Sequence, residues 1–290
     1  MSLALMRCCA TSPVLEEYET ATDQVLSRLG VAVVELDFNC CGYPLRNSSF
    51  DAWVFSSARN LALAERARLD VMTACACCYG SMKQVGRMLE TDASLRGAAN
   101  AAIGSEELTC SGTAKVRHLL EVLRDDVGFD HIARERTRSF EGLKVACHYG
   151  CHLLKPSKVL KLDDATSPSI LDRVVEATGA ESVPWGAKLD CCGSPVSGVN
   201  DGLSATLTRT KLASARESGA VVLCVVCPYC FIQIGRVQQS IAAAGEAVLP
   251  VILVHQLLGL ALGIAPEALG MSAERVPVPS GVGRARGSAR

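Results

Sequence analysis

The sequence predicts an α/β protein of two similar halves, each with a small, mainly parallel sheet, related by a pseudo-two-fold. Three observations predict it. Short apolar runs alternate with amphipathic stretches of helical period. The pattern Cys-Cys-Gly-x-Pro occurs twice, as "CCGYP" at 40–44 and "CCGSP" at 191–195. Between Cys41 and Cys75 lie 33 residues, and between Cys192 and Cys227 lie 34, a match too long for chance and a sign of internal duplication.

In the first half, "VAVVELD" (31–37) is a strand leading into the first cysteine pair. "SFDAWVFSSARNLALAERARLD" (49–70) is rich in Ala, Leu, Arg and Glu and forms an amphipathic helix. "DVMTA" (70–74) is a strand ending in "CACC" (75–78), and "YGSMKQVGRMLE" (79–90) is the next helix. The second half repeats the order. "LKVACHYGC" (143–151) opens it as a strand, and "NDGLSATLTRTKLASARESG" (200–219) is a helix capped by Asn200 or Asp201 and stopped by Gly219. "AVVLCVV" (220–226) is a strand ending in "CPYC" (227–230), followed by the helix "FIQIGRVQQSIAAAG" (231–245). The domain reading is a first half at 1–91, a helical connector at 92–139, a second half at 140–270 and a disordered basic tail at 271–290.

The chain has 290 residues, 49% of them apolar, so a core forms without covalent staples. A net charge of −1 argues against nucleic acid as a partner. The tail arginines, Arg275, Arg284, Arg286 and Arg290, read as a solvated run. "AVLPVILVHQLLGLALGIAP" (247–266) is apolar, but Pro250, His255 and Gln256 favour a strand and a buried helix over a membrane span. The start "MSLALMRCCATSP" lacks the basic segment of a secretory leader. The fifteen cysteines, an odd number, therefore belong in a reducing cytoplasm, where clustered thiols bind metal or do redox chemistry.

Each half carries an early cysteine, a cysteine pair and a Cys-x-x-Cys, and parallel sheets gather ligands beyond their carboxyl strand ends. Five thiols therefore converge on each site. Zinc takes four ligands in a closed tetrahedron, and adjacent cysteines suit a single small ion poorly. A multi-iron cluster distributes them over several irons, so iron–sulfur is the stronger reading. Gly after each pair lets the backbone pass close to the cluster, and Pro two residues on fixes the exit turn.

Cys9 with "NCCGYP" and "CACCYG", then "CHYGCHLL" with "DCCGSP" and "CPYC", resembles the B subunit of heterodisulfide reductase, whose cysteine-rich CCG domain occurs twice. The resemblance runs from about residue 3 to about 262. It implies two noncubane [4Fe-4S] clusters, each on five cysteines. Carried across by position, Cys9, Cys40, Cys41, Cys75 and Cys78 hold the first, and Cys151, Cys191, Cys192, Cys227 and Cys230 the second. Cys9 is preferred to Cys8 by the placement of Tyr18, and Cys151 to Cys147 by its "GCH" context. The implied function is the catalytic iron–sulfur subunit of a heterodisulfide-reductase-like complex, an oxidoreductase that cleaves or forms a small-molecule or carrier-bound disulfide.

His148 and His152 flank Cys151 and are candidate proton donors, since disulfide reduction consumes protons. Cys77 reads as a bystander inside its motif, and Cys110 and Cys224 as a connector thiol and a buried strand residue. Neither a dinucleotide fingerprint nor a ferredoxin cysteine run is present. Electrons must then come from partners, which the resemblance identifies as a ferredoxin-like C subunit, together with a flavin-containing A subunit. Two alternatives stay open: a sulfur-oxidising relative acting on carrier-bound sulfur, and a non-catalytic relay with cubane clusters or zinc.

Overall fold

The computed structural model describes residues 2–9, 15–245 and 248–271, together with a two-residue strand at 284–285. The first half runs β1 (Leu3–Leu5), α1 (Glu16–Arg28), β2 (Val33–Glu35), α2 (Phe50–Ala67), β3 (Asp70–Thr73), α3 (Ala76–Thr91), α4 (Ala93–Ile103), β4 (Val116–His118), α5 (Leu119–Val122) and α6 (Phe129–Glu135). After β5 (Arg138–Ser139), the second half runs β6 (Lys144–His148), α7 (Cys151–Leu154), α8 (Ser157–Leu160), α9 (Ile170–Ala177), β7 (Glu181–Val183), α10 (Asp201–Glu217), β8 (Val222–Val225), α11 (Pro228–Ala243), β9 (Val251–Leu253) and α12 (Val254–Ala261).

Both main sheets have four strands, ordered β2-β1-β3-β4 and β7-β6-β8-β9, with every pairing parallel. The order is the same once β1 is matched to β6 and β3 to β8, so the duplication extends to topology. Residues 92–139, expected as a helical connector, are largely helical but also supply β4 to the first sheet. Of the tail expected to be disordered, 271–290, only Met271 and β10 (Arg284–Ala285) belong to the described residues. The β10 backbone pairs antiparallel with β5.

The helices follow from their ends. Ser49 caps α2 by accepting from the Ala52 amide, and Asn200 caps α10 by accepting from Leu203. Gly219 follows α10 at φ 79°, the left-handed position that ends a helix cheaply. The apolar stretch after Leu249 forms β9 and α12, buried along Val251–Leu262. Helix α1 of the first half packs on α12, and α3 packs on α7, so the halves interlock. Among the described residues no helix is long and apolar enough to cross a membrane.

Candidate metal centre

The cysteines lie just beyond the carboxyl ends of the central strands. Cys75 follows β3 and is the N-cap of α3; Cys227 follows β8 and is the N-cap of α11. Their extended φ values of −85° and −82° turn the chain into the helix, which puts Cys78 and Cys230 in the first turns. A helix N-terminus favours negative charge, so both Cys-x-x-Cys motifs start where thiolates are tolerated.

Each Cys-Cys-Gly loop is pinned to the following helix. Ser57 donates to the Cys41 carbonyl at 2.7 Å, and Thr208 donates to the Cys192 carbonyl at 2.7 Å. Gly42 has φ 79° and Gly193 φ 92°. A Cβ on Gly42 would lie 2.8 Å from the Trp53 carbonyl oxygen, and one on Gly193 would strike the Ser204 carbonyl. Close approach to α2 and α10 therefore requires the glycine at both positions. Pro44 and Pro195 each sit in a short 3-10 turn after the glycine.

The structure brings the first set together. The Cys9 and Cys40 sulfurs lie 3.2 Å apart, and Cys41 is within hydrogen-bonding reach of Cys40 and Cys78. Cys75 and Cys78 reach each other and Cys8, and the three sulfurs lie within 4.8 Å of one another. In the second set, Cys192 contacts Cys191, Cys230 and His148, and Cys227 contacts Cys230. Cys151 stands nearby, with its sulfur 3.5 Å from His152 Nδ1.

So many thiols cannot all ionise alone. Hydrogen bonds from Cys41 and Cys9 hold Cys40 well below the ordinary thiol range, while Cys9 is pushed up by Cys40 and Cys8. Cys191 and Cys230 likewise hold Cys192 down, and Cys192 and Cys227 push Cys230 up. A multivalent metal resolves the conflict by taking all the sulfurs as thiolates. All fifteen cysteines are free thiols, so no disulfide competes for the set.

Two residues cross between the halves. Cys77 and Tyr229 occupy the same place in their motifs, two residues after Cys75 and Cys227. Cys77 contacts Cys227 of the other set as well as Cys75, while the Tyr229 hydroxyl is pushed up by burial and by Cys8 and Cys9. Cys77 thus stands between the sets, a position no local sequence signal reveals. A cavity of about 210 Å³ opens there, lined by Tyr43, Arg46 and Cys77 from the first half and Cys151, His152, Cys192, Cys227, Tyr229 and Cys230 from the second. Of the ten sequence-assigned ligands it touches only members of the second set, and Cys9 instead reaches the surface directly.

The two candidate histidines are placed differently. His152 lines the cavity; Tyr43 Oη and Arg46 Nη1 each lie 3.3 Å from its Nε2. A guanidinium only donates, so Nε2 accepts and the proton sits on Nδ1, facing Cys151 at 3.5 Å and Cys77 at 3.8 Å. Burial, and then Arg46, hold His152 below its ordinary range and neutral. His148 is 1% exposed, away from the cavity, with Nε2 3.3 Å from Cys230 and within 4.8 Å of Cys192. Cys110, Cys147 and Cys224 are buried apart from both sets: Cys147 lies against Ser182, and Cys224 is in β8.

The soft, dense, unpaired thiol sets fit iron–sulfur ligation on donor chemistry alone. Comparison with known proteins agrees. A family model described as "Cysteine-rich domain" (CCG) matches residues 4–83 and again 145–235. The chain is 36% identical to the B subunit of the ferredoxin/F420H2-dependent CoB-CoM heterodisulfide reductase of Methanosarcina acetivorans, over 93% of this chain and 92% of the relative. It is 36% identical to the B subunit of the ferredoxin:CoB-CoM heterodisulfide reductase of Methanosarcina mazei, over 89% and 88%. It is also 31% identical, over 91% and 93%, to a Wolinella succinogenes protein named 8-methylmenaquinol:fumarate reductase membrane anchor subunit. A Helicobacter pylori structure titled as a hypothetical protein superposes with a TM-score of 0.76 at 16% identity, covering 96% of this chain and 52% of that one, so this chain spans about half its length. The chain belongs to the family of heterodisulfide reductase B subunits, in which the cysteine-rich CCG domain is duplicated.

Proposed function

We propose that the chain is the catalytic iron–sulfur subunit of a heterodisulfide-reductase-like complex that cleaves, or in reverse forms, a disulfide bond. The observation that supports this best is the gathering of metal-binding side chains into one group in each half, Cys8, Cys75 and Cys78 in the first and Cys192 and Cys230 with His148 in the second, with a cavity lined by residues of both halves. In this reading Cys9, Cys40, Cys41, Cys75 and Cys78 hold one noncubane [4Fe-4S] cluster, and Cys151, Cys191, Cys192, Cys227 and Cys230 the other. When bound, the clusters supply the electrons and the thiophilic iron that breaking an S–S bond needs.

The chain's own residues supply the rest. Tyr43 and Tyr229, with ring centroids 6.0 Å apart, wall the cavity and hold the disulfide. The Arg46 guanidinium, 4.6 Å from the Tyr43 ring centroid, fixes the His152 tautomer. His152 Nδ1–H, on a neutral ring, donates a hydrogen bond that stabilises a departing thiolate. His148, against Cys230, orients that thiol. The source of electrons is a ferredoxin-like C subunit fed by a flavin-containing A subunit, in the cytoplasm.

The Wolinella relative favours a second reading, an electron-relay module, because its name specifies a quinol and fumarate and no disulfide. One experiment separates the two. A small thiol is added to the oxidised, iron-loaded protein and the iron spectrum is followed, in the parent and in Cys41→Ser and Cys192→Ser. The thiol should perturb the spectrum of the parent and of Cys41→Ser, but not of Cys192→Ser. A thiol that perturbs none of them, with disulfide reduction unchanged when one site is lost, makes the chain a relay.

A further inference from the structure

The two thiol sets are built on one template, but their buried surroundings differ in charge. Lys211 stands nineteen residues after Cys192, and Asn60 stands nineteen after Cys41. The hydrogen bonds show the positions to be equivalent: Ser57 and Thr208, each three residues earlier, donate to the second cysteine carbonyl of their loops. Asn60 is 0% exposed and its amide exchanges hydrogen bonds with the Asn39 backbone, both at 3.0 Å. Lys211 is 1% exposed; its ammonium donates to the Ala187 carbonyl and lies 4.7 Å from the Trp185 ring centroid.

We infer that the second-half cluster takes up an electron at a higher potential than the first-half cluster, because Lys211 places a buried positive charge beside it where the first half has a neutral amide. The inference rests on the reading above that both sets hold iron–sulfur clusters. Reduction adds negative charge to a poorly solvated site, and a fixed cation nearby stabilises the reduced form over the oxidised one. Lys211 lies one turn along α10 from Thr208, whose hydroxyl holds the Cys192 carbonyl, and its ammonium donates to the Ala187 carbonyl, four residues before Cys191. Burial lowers its pKa to about 8, which leaves it charged at neutral pH.

The other charges point the same way. Asp190 is exposed and therefore screened by water, and Lys188 is matched by Asp172 at 2.8 Å. Arg46, from the first half, adds a second cation against His152 on the cavity side. Around the first set, the Arg7 guanidinium is shared by Glu19, Asp23 and Glu35, and Arg59, beside Asn39, is matched by Glu106 and Asp37. Glu19 also accepts from the Cys8 amide at 3.3 Å, so the carboxylate excess lies next to that set. The electron thus settles first on the site that opens into the cavity.

The test is a stepwise anaerobic reduction of the iron-loaded protein with dithionite and mediators, followed by electron paramagnetic resonance. The parent should show two reduction waves. Cys192→Ser should lose the wave at higher potential, and Cys41→Ser the one at lower potential. Lys211→Gln should move the higher wave downward, and Lys211→Arg, which keeps the charge, should restore it. Coincident waves, the opposite loss pattern, or an unmoved wave in an iron-replete Lys211→Gln protein overturns the inference. Should Lys211→Gln lose its iron, the order of loss in the two cysteine variants still decides. A parent without iron overturns the reading of the sites and the inference with it, whereas two waves in the wrong order overturn the inference alone.

Discussion

The Tyr18 hydroxyl lies 3.0 Å from the Val226 carbonyl, a hydrogen bond that spans 208 positions and joins the two halves. The same hydroxyl lies 2.5 Å from the Ala74 carbonyl. Ala74 and Val226 are the residues directly before Cys75 and Cys227, so one buried phenol ties together the two turns that open the Cys-x-x-Cys motifs. Ala74 has a second donor, His118 Nε2 at 2.8 Å. Removing the hydroxyl in Tyr18→Phe therefore strips the Val226 carbonyl most, at a cost of about 1–3 kcal/mol. Chemical denaturation checks this, and a Tyr18→Phe protein as stable as the parent contradicts it.

The Cys-Cys-Gly glycines should be intolerant for two separable reasons. Gly42→Ala and Gly193→Ala meet both a left-handed φ and the backbone of α2 or α10. Gly30 has φ 70° but nothing within 4 Å of a Cβ, so Gly30→Ala meets the backbone strain alone. Gly30→Ala should cost about 1 kcal/mol, and the loop variants more than that. Equal losses for all three in a urea titration would show that the helix contact does not matter.

These positions mark how far the sequence is legible. The duplication, the two long helices α2 and α10, and the strands feeding "CACC" and "CPYC" can be read because Gly, Pro and Asn punctuate them at matched spacing. The strands β1, β4 and β7 cannot. Each is three residues long, too short for a period to show, and β4 lies within a polar segment. The contact of Gly42 with α2 is not legible, because the neighbour that excludes a side chain, Trp53, arrives only with the tertiary fold. Cys77 reads as idle for the same reason. Its partner Cys227 is 150 positions away, and only the interlocking of α3 with the second half brings them together.

His255 predicts how the fold responds to acid. It is 0% exposed, packs edge-on against Tyr18 at 4.5 Å, and neither ring nitrogen has a partner among the described residues. Burial, and then His118, lower its pKa to about 3. The unfolded chain, with an ordinary histidine near 6.5, binds the proton more readily between those values. Stability from this group is therefore full above pH ~6.5 and falls as pH drops toward ~3, by about 2 kcal/mol at pH 5. His255→Leu should lose less stability than the parent between pH 7.5 and pH 5. Parallel losses in the two proteins, measured by urea midpoints, contradict the assignment.

The two candidate histidines should separate kinetically. His152→Gln removes the Nδ1–H donor that stabilises a departing thiolate at the cavity wall, so kcat for disulfide cleavage should fall by about 10²-fold with little change in KM. His148→Gln should instead alter the iron spectrum of the second site, because His148 touches Cys230 and not the cavity. An unchanged kcat in His152→Gln, or an unchanged spectrum in His148→Gln, reverses the corresponding role.

The most direct measurement is iron and acid-labile sulfide per chain in anaerobically purified protein, for the parent, Cys41→Ser, Cys192→Ser and Cys110→Ser. Two separate five-thiol sites predict about eight irons in the parent and in Cys110→Ser, and about four in each of the other two. Stoichiometric zinc with little iron, or loss of half the iron in Cys110→Ser, would contradict the account.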